Sequence, residues 1–285
     1  FGHIYRMQSP RRILEEIENI LTYFKNKGFF FYDDNLTADK KRISELCDLL
    51  AGNGYDIHWT AQVRADLAKD PELISNMARA GLKWVYIGFE SINDETLKVL
   101  KKSQTRTDIE NAIQTFHQHG VNIHGMFMFG DDHDTVENIS QTVQFVIEKG
   151  IDTIQFMVLT PLPGTEYYEK IEREGRLLHK NWDYYNGMFV VFRPKNMSPL
   201  KLTQETYKAY QKFYSLRRNI LDWLSMIFTI VLDALVWNFG NAGQYNLDII
   251  FKRGGAQMIV ARQSDVNRHY ISYLDNIEKE GVRKQ

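Results

Sequence analysis

Five short apolar runs recur along the first part of the chain, and between them apolar side chains fall at helical rather than strand spacing. The runs are Phe29 to Tyr32, Ile57 to Val63, Trp84 to Phe89, Ile123 to Phe129 and Thr153 to Leu159. Each has the length of a strand, is rich in β-branched or aromatic residues and shows little polar alternation. That pattern predicts parallel strands covered on both faces.

The helices between them carry start and stop signals. Ser9-Pro10 predicts an N-cap with proline in the first turn, leading into Ile13, Ile17, Ile20, Leu21 and Phe24. Thr37 is expected to cap a helix bearing Ile43, Leu46, Cys47 and Leu50, and Asp70-Pro71-Glu72 starts one that Gly81 stops. Thr107 or Asp108 is expected to open a helix ended at Gly120, and Asp134-Thr135-Val136-Glu137 has capping-box form before a helix ended at Gly150.

Strand-helix units of about 30 residues imply right-handed crossovers and one parallel sheet, closed as a barrel or open and doubly wound. The chain opens on a helix, so a first strand is expected upstream of Phe1, making six in all. After Leu159 come a turn-rich loop, a helix near Glu166 to Glu174, an aromatic stretch around Trp182 to Phe192 and helical sequence from Leu200. Residues 1-199 are expected to form the strand-helix domain and 200-285 a helical extension. Ile220 to Phe239 is the most apolar window, but Asp222 and Asp233 interrupt it. A docked helix is favoured there over a membrane span, because a charge at mid-span costs about 2.5 to 3.5 kcal/mol; a peripheral contact with the inner membrane stays open.

Composition narrows the classes. With 35 Lys and Arg against 36 Asp and Glu the formal charge is -1, so no electrostatic footprint for nucleic acid exists. One cysteine, Cys47, excludes a disulfide framework and any multi-cysteine metal site within these residues. Cys47 falls on an apolar helix face, as a small buried hydrophobe. No signal peptide is visible and the expected compartment is the cytoplasm.

In parallel α/β folds ligands sit at the carboxyl ends of the strands. There the chain offers Asp33, Asp34 and Asn35, then Gln62 and Arg64, then Glu90 and Ser91, then Gly125 in a run that closes on Gly130 and Asp131, and last Thr160 before the proline loop. Carboxylates accept from an ammonium and Arg64 pairs with a carboxylate, so the set suits a small zwitterionic ligand, and a ribose diol would be accepted by Glu90. Gly125 within a strand reads either as a close approach of a ligand or as a bulge. The acidic series Asp131, Asp132 and Asp134 is explained by helix capping, and no metal site is expected.

The strings Phe1-Gly2 to Ser9-Pro10, Phe31-Tyr32-Asp33-Asp34-Asn35, Gln62-Val63-Arg64-Ala65-Asp66, Gly88-Phe89-Glu90-Ser91, His124 to Gly130 and Thr160-Pro161-Leu162-Pro163-Gly164-Thr165 together resemble radical SAM enzymes of the class with a cobalamin-binding domain. The resemblance implies an α/β fold, a partial (β/α)6 TIM-like barrel, holding S-adenosylmethionine against a 4Fe-4S cluster whose CxxxCxxC loop is not in this sequence. That loop is expected upstream, and the isolated chain is expected to be inactive. By resemblance, Asp33, Asp34 and Asn35 meet the amino group of S-adenosylmethionine, Gln62 and Arg64 its carboxylate, and Glu90 with Ser91 the ribose. Gly125, Met126 and Phe129 lie along its adenine and methionine side, with Thr160 and Pro161 near the adenine. Gln8 departs from the usual basic residue.

The expected partners are an external one-electron reductant and a small-molecule substrate, a lipid, tetrapyrrole or secondary metabolite. The expected reaction is cobalamin-dependent methylation or rearrangement. Two rivals stand beside it: a cluster-free barrel acting as a binding or scaffold protein, and an ordinary TIM-barrel enzyme using Asp33, Arg64 and Glu90 for acid-base chemistry.

Overall fold

The computed structural model describes residues 6–24, 27–100, 102–215, 220, 224, 249, 252–260, 262, 265 and 267–283. The opening Phe1-Gly2 and, apart from Ile220 and Leu224, the Ile220 to Phe239 window lie outside the described residues.

The chain folds as α1 (Pro10–Tyr23), β1 (Gly28–Phe31), α2 (Lys40–Gly52), β2 (His58–Val63), α3 (Pro71–Arg79), β3 (Leu82–Glu90), α4 (Asp94–Val99), α5 (Arg106–Gln118), β4 (Asn122–Phe129), α6 (Val136–Glu148), β5 (Thr153–Val158), α7 (Glu166–Arg173) and α8 (Pro199–Phe213). A C-terminal helix follows at Arg268–Arg283. The five strands form one sheet in the order β1-β2-β3-β4-β5. Parallel pairing sets Phe31 against Ala61 and Gln62 against Tyr86. This is the α/β class that the alternation of strand and helix predicts.

Local chemistry explains the helix starts. Ser9 Oγ accepts from Arg12 N at 3.2 Å, and Asp70 accepts from Leu73 N at 3.2 Å, each satisfying an end amide that has no partner within its helix. Two starts differ from expectation. Asp39, not Thr37, caps α2, because its carboxylate reaches Arg42 N at 3.0 Å while Thr37 lies in a short 3-10 turn. Thr105, not Thr107 or Asp108, caps α5: its hydroxyl accepts from Asp108 N and the Asp108 carboxylate returns to Thr105 N, a reciprocal capping box. The short helix α4 was not expected; Asn93 caps it through the amides of Glu95 and Thr96.

Two compact units emerge, Phe1–Phe89 with Lys102–Met126 and Glu90–Lys101 with Phe127–Gln285. In the first, α1 packs on α2 and α2 on α3, burying Ile13, Ile17, Ile43, Leu46, Cys47, Leu50, Ile74 and Met77. Full burial of such side chains contributes about 1.5 to 3 kcal/mol each. Gly81, at φ 101°, lets the chain turn into β3; a Cβ there would stand 2.2 Å from Ile57 O.

Burial along the strands alternates, in contrast to the expectation of two covered faces. Trp59, Ala61 and Val63 are buried while Thr60 and Gln62 are half-buried, and β4 repeats the pattern over its whole length. One face is sealed by apolar packing and the other is only partly covered.

In the second unit α8 packs on α6 and along β5. The Tyr210 hydroxyl accepts from Phe156 N at 2.8 Å and donates to Phe156 O at 2.9 Å. Tyr214 does the same to Ile154, both bonds at 2.9 Å, and Val158 N donates to Gly187 O. Two tyrosines and one loop carbonyl thus satisfy the free edge of β5, where a strand would otherwise expose donors and acceptors. Among the described residues no helix is long and apolar enough to cross a membrane.

Candidate functional site

In the first unit the ends of β1 and β2 stand side by side. The register that pairs Phe31 with Ala61 brings Asp33, Asp34 and Asn35, just past β1, level with Gln62 to Arg64 at the end of β2. Asp33 and Asp34 are exposed and Asn35 is half-buried, its amide oxygen accepting from Thr37 Oγ1 at 3.0 Å. Gln62 is half-buried on the partly covered face. Arg64 is exposed, with Nε 3.3 Å from Asp66 in an exposed ion pair. Such a pair is worth about 0 to 1 kcal/mol, so a ligand carboxylate competes with it readily.

The same face carries two groups that reading the chain for polar strand ends did not single out. Tyr86, the register partner of Gln62, packs against His124 with ring centres 4.4 Å apart and planes tilted by 34°, and meets the edge of Phe30 at 5.4 Å. Burial raises the Tyr86 hydroxyl above its ordinary pKa, keeping it a neutral donor and acceptor. The signal for both was period two: Tyr86 lies four residues before Glu90 and His124 two before Met126, on the same strand faces. Met126 is half-buried, whereas Gly125 lies with Ile123 on the sealed face.

In the second unit Glu90, the last residue of β3, is half-buried with φ 62°, the one non-glycine residue at positive φ among those described. A left-handed conformation costs an L-residue about 1 to 2 kcal/mol, and such strain gathers where a side chain must be aimed. Ser91 is buried and its hydroxyl accepts from Asn93 N at 3.0 Å. Phe129 is buried against Phe156, centres 5.0 Å apart. Thr160 donates to Val158 O at 3.0 Å and Pro161 is buried.

The acidic turn after β4 is structural. Asp134 accepts from Gly130 N at 2.8 Å and Asp131 N at 3.2 Å. Burial pushes its carboxyl up to about 6 against the pull of those amides. Burial also opposes ionisation of Asp132, but Arg176 at 2.7 Å, Lys170 at 2.8 Å and Lys195 at 3.1 Å hold that carboxyl well below the usual range. Asp134 therefore ties the turn together and Asp132 anchors the segment beyond α7, while the helix cap itself is Thr135.

A 4Fe-4S centre takes three or four thiolates from its protein. The only cysteine, Cys47, is buried in α2, and burial raises its thiol to about 12. These residues do not fit a cluster. S-Adenosylmethionine is a different case, because the amide and guanidinium of Gln62 and Arg64 and the carboxylates of Asp33 and Asp34 suit its zwitterionic end.

Comparison with known proteins gives a consistent picture. The family model described as the radical SAM superfamily matches residues 2–146. Bacteriochlorophyllide d C-12(1)-methyltransferase of Chlorobaculum tepidum is 31% identical over 79% of this chain and 50% of its own length. Hopanoid C-2 methylase of Rhodopseudomonas palustris is 24% identical over 87% of this chain and 51% of its own. The solved structure of the cobalamin-dependent S-adenosylmethionine radical enzyme OxsB, with aqua-cobalamin and S-adenosylmethionine bound, superposes with a TM-score of 0.58 at 13% identity. It covers 92% of this chain and 51% of that one, and shares the fold. The chain spans about half the length of the curated relatives it matches.

Proposed function

Since this chain belongs to the radical SAM superfamily, we propose that its strand ends bind S-adenosylmethionine for cobalamin-dependent methylation of a carbon in a tetrapyrrole. The cluster and the cobalamin are held by residues outside these 285, and a one-electron reductant acts from outside the chain. S-Adenosylmethionine supplies, when bound, a methyl group and a sulfonium open to one-electron cleavage.

The chain's own part is orientation. Arg64 pairs with the carboxylate, Gln62 hydrogen-bonds beside it, and Asp33, Asp34 and Asn35 receive the ammonium. Glu90 with Ser91 takes the ribose, and Thr160 and Pro161 lie by the adenine. Met126 borders the methionine side, and Gly125 and Phe129 keep β4 in place behind it. The observation that supports this reading is the parallel pairing of β1 with β2, Phe31 against Ala61, which ends the two strands at similar levels with Asp33 to Asn35 following one and Gln62 to Arg64 closing the other. The tetrapyrrole rests on the likeness to the bacteriochlorophyllide d C-12(1)-methyltransferase, 31% identical to this chain.

The test is S-adenosylmethionine affinity of the whole, cluster-loaded protein by calorimetry. Arg64→Ala and Gln62→Ala are each expected to weaken binding by about 1 to 3 kcal/mol through lost hydrogen bonds to a charged group. Unchanged affinity in both would remove the assignment. Substrate class is tested separately: methyl transfer to a hopanoid and none to a bacteriochlorophyllide would replace the tetrapyrrole.

A further inference from the structure

Tyr86 stands in the middle of β3, where a tyrosine ordinarily buries its ring in a core and gives its hydroxyl to a polar neighbour. It does neither fully. On the β1 side its ring meets Phe30, centres 5.4 Å apart and planes at 78°, and on the β4 side it packs against His124 at 4.4 Å and 34°. Those two contacts fix the direction of the phenol. Yet the residue stays half-buried, and among the described residues no charge or hydrogen bond engages its hydroxyl. The next residue of β3 on this face is Gly88, which brings no side chain over the ring.

Charge divides the face in two. Beyond the ends of β1 and β2, Asp33, Asp34 and Arg64 are exposed and charged, the groups that suit the charged end of S-adenosylmethionine. The layer of Tyr86 is different. Its neighbours Phe30, Gln62 and His124 carry no carboxylate, ammonium or guanidinium, so it complements an uncharged, flat group. Gln62, the register partner of Tyr86, lies at the boundary. Paired strands stand about 4.8 Å apart, so a molecule resting on Tyr86 adjoins whatever Gln62 holds.

Resting on the reading that Gln62 meets S-adenosylmethionine and that the acceptor is a tetrapyrrole, we propose that Tyr86 is a specificity-determining residue for the methyl acceptor. Its ring packs on the conjugated macrocycle, and its hydroxyl hydrogen-bonds a polar substituent of it. Phe30 and His124 are positioning residues that hold the phenol for that contact. An aromatic pair gains from ring electrostatics beyond buried area, a gain that a saturated ring system does not offer.

The experiment is an anaerobic titration of the whole, cluster-loaded protein with protoporphyrin IX, followed by its fluorescence. Protoporphyrinogen IX, which carries the same substituents on a ring that is neither flat nor fully conjugated, is measured by competition. The unsubstituted protein is expected to prefer the flat ring by about three- to tenfold, the worth of one aromatic pair. Tyr86→Leu is expected to abolish that preference. Tyr86→Phe keeps the ring, so it is expected to keep the preference while binding both compounds about three- to tenfold more weakly, the worth of one hydrogen bond. Neither variant is expected to change S-adenosylmethionine affinity.

An undiminished preference in Tyr86→Leu would overturn the proposal and leave standing the S-adenosylmethionine assignment, which Arg64→Ala and Gln62→Ala test. Weakened S-adenosylmethionine binding in Tyr86→Phe would overturn it by placing the hydroxyl on that molecule. No porphyrin binding by the unsubstituted protein would remove the tetrapyrrole reading and the proposal with it.

Discussion

Glu90 is held in a backbone conformation that its own chemistry disfavours. Its φ of 62° costs an L-residue about 1 to 2 kcal/mol, a cost glycine does not bear. Substitution separates the backbone from the carboxylate: Glu90→Ala and Glu90→Gly both remove the acid, but only glycine relieves the strain. Glu90→Gly is expected to be more stable than Glu90→Ala by about 1 kcal/mol in urea unfolding, with both variants binding S-adenosylmethionine more weakly. Equal stability would mean that the strain is absent in solution. No pattern in the chain announced this conformation, because a glutamate after an apolar run reads simply as the polar end of a strand.

At the scale of the element, β5 shows how a helix completes a sheet without adding a strand. Two tyrosine hydroxyls, Tyr210 in α8 and Tyr214 at its C-cap, each span the N–H and C=O of one edge residue, Tyr210 at Phe156 and Tyr214 at Ile154. Tyr210→Phe is expected to leave two buried backbone groups unpaired and to lower stability by about 1 to 3 kcal/mol. Exchange of the Phe156 amide should quicken while that of Ile154 changes less; a phenylalanine variant as stable as the parent would show the edge to be closed by packing alone. The helix α8 was legible from Leu200 onward. Its attachment to β5 was not, since contacts 54 and 60 residues apart leave no local periodicity. The displaced caps at Asp39 and Thr105 have a simpler cause: several short polar residues precede each helix, and the one whose oxygen reaches the third amide wins.

For the whole molecule, the decisive quantity is the single cysteine. The 285 residues incubated anaerobically with iron and sulfide are expected to bind no 4Fe-4S centre, as measured by iron and acid-labile sulfide. A longer protein carrying a CxxxCxxC loop is expected to hold one and to cleave S-adenosylmethionine. A cluster formed on this chain alone would contradict the burial of Cys47, whose thiol stands near 12 and is not a ready ligand. Activity of the longer protein in air without a reductant would instead favour an acid-base enzyme.

Strand and helix order, the α/β class and the family were legible because they rest on local periodicity, capping residues and short ordered strings, which act over a few neighbours. The sequence by itself also determined that these residues cannot supply three thiolates. Only the tertiary structure decided which strand face is sealed, that Tyr86 and His124 share a face with Gln62, and that Glu90 is strained. Those properties belong to pairs of groups distant along the chain, and register and packing exist only once both partners are in place.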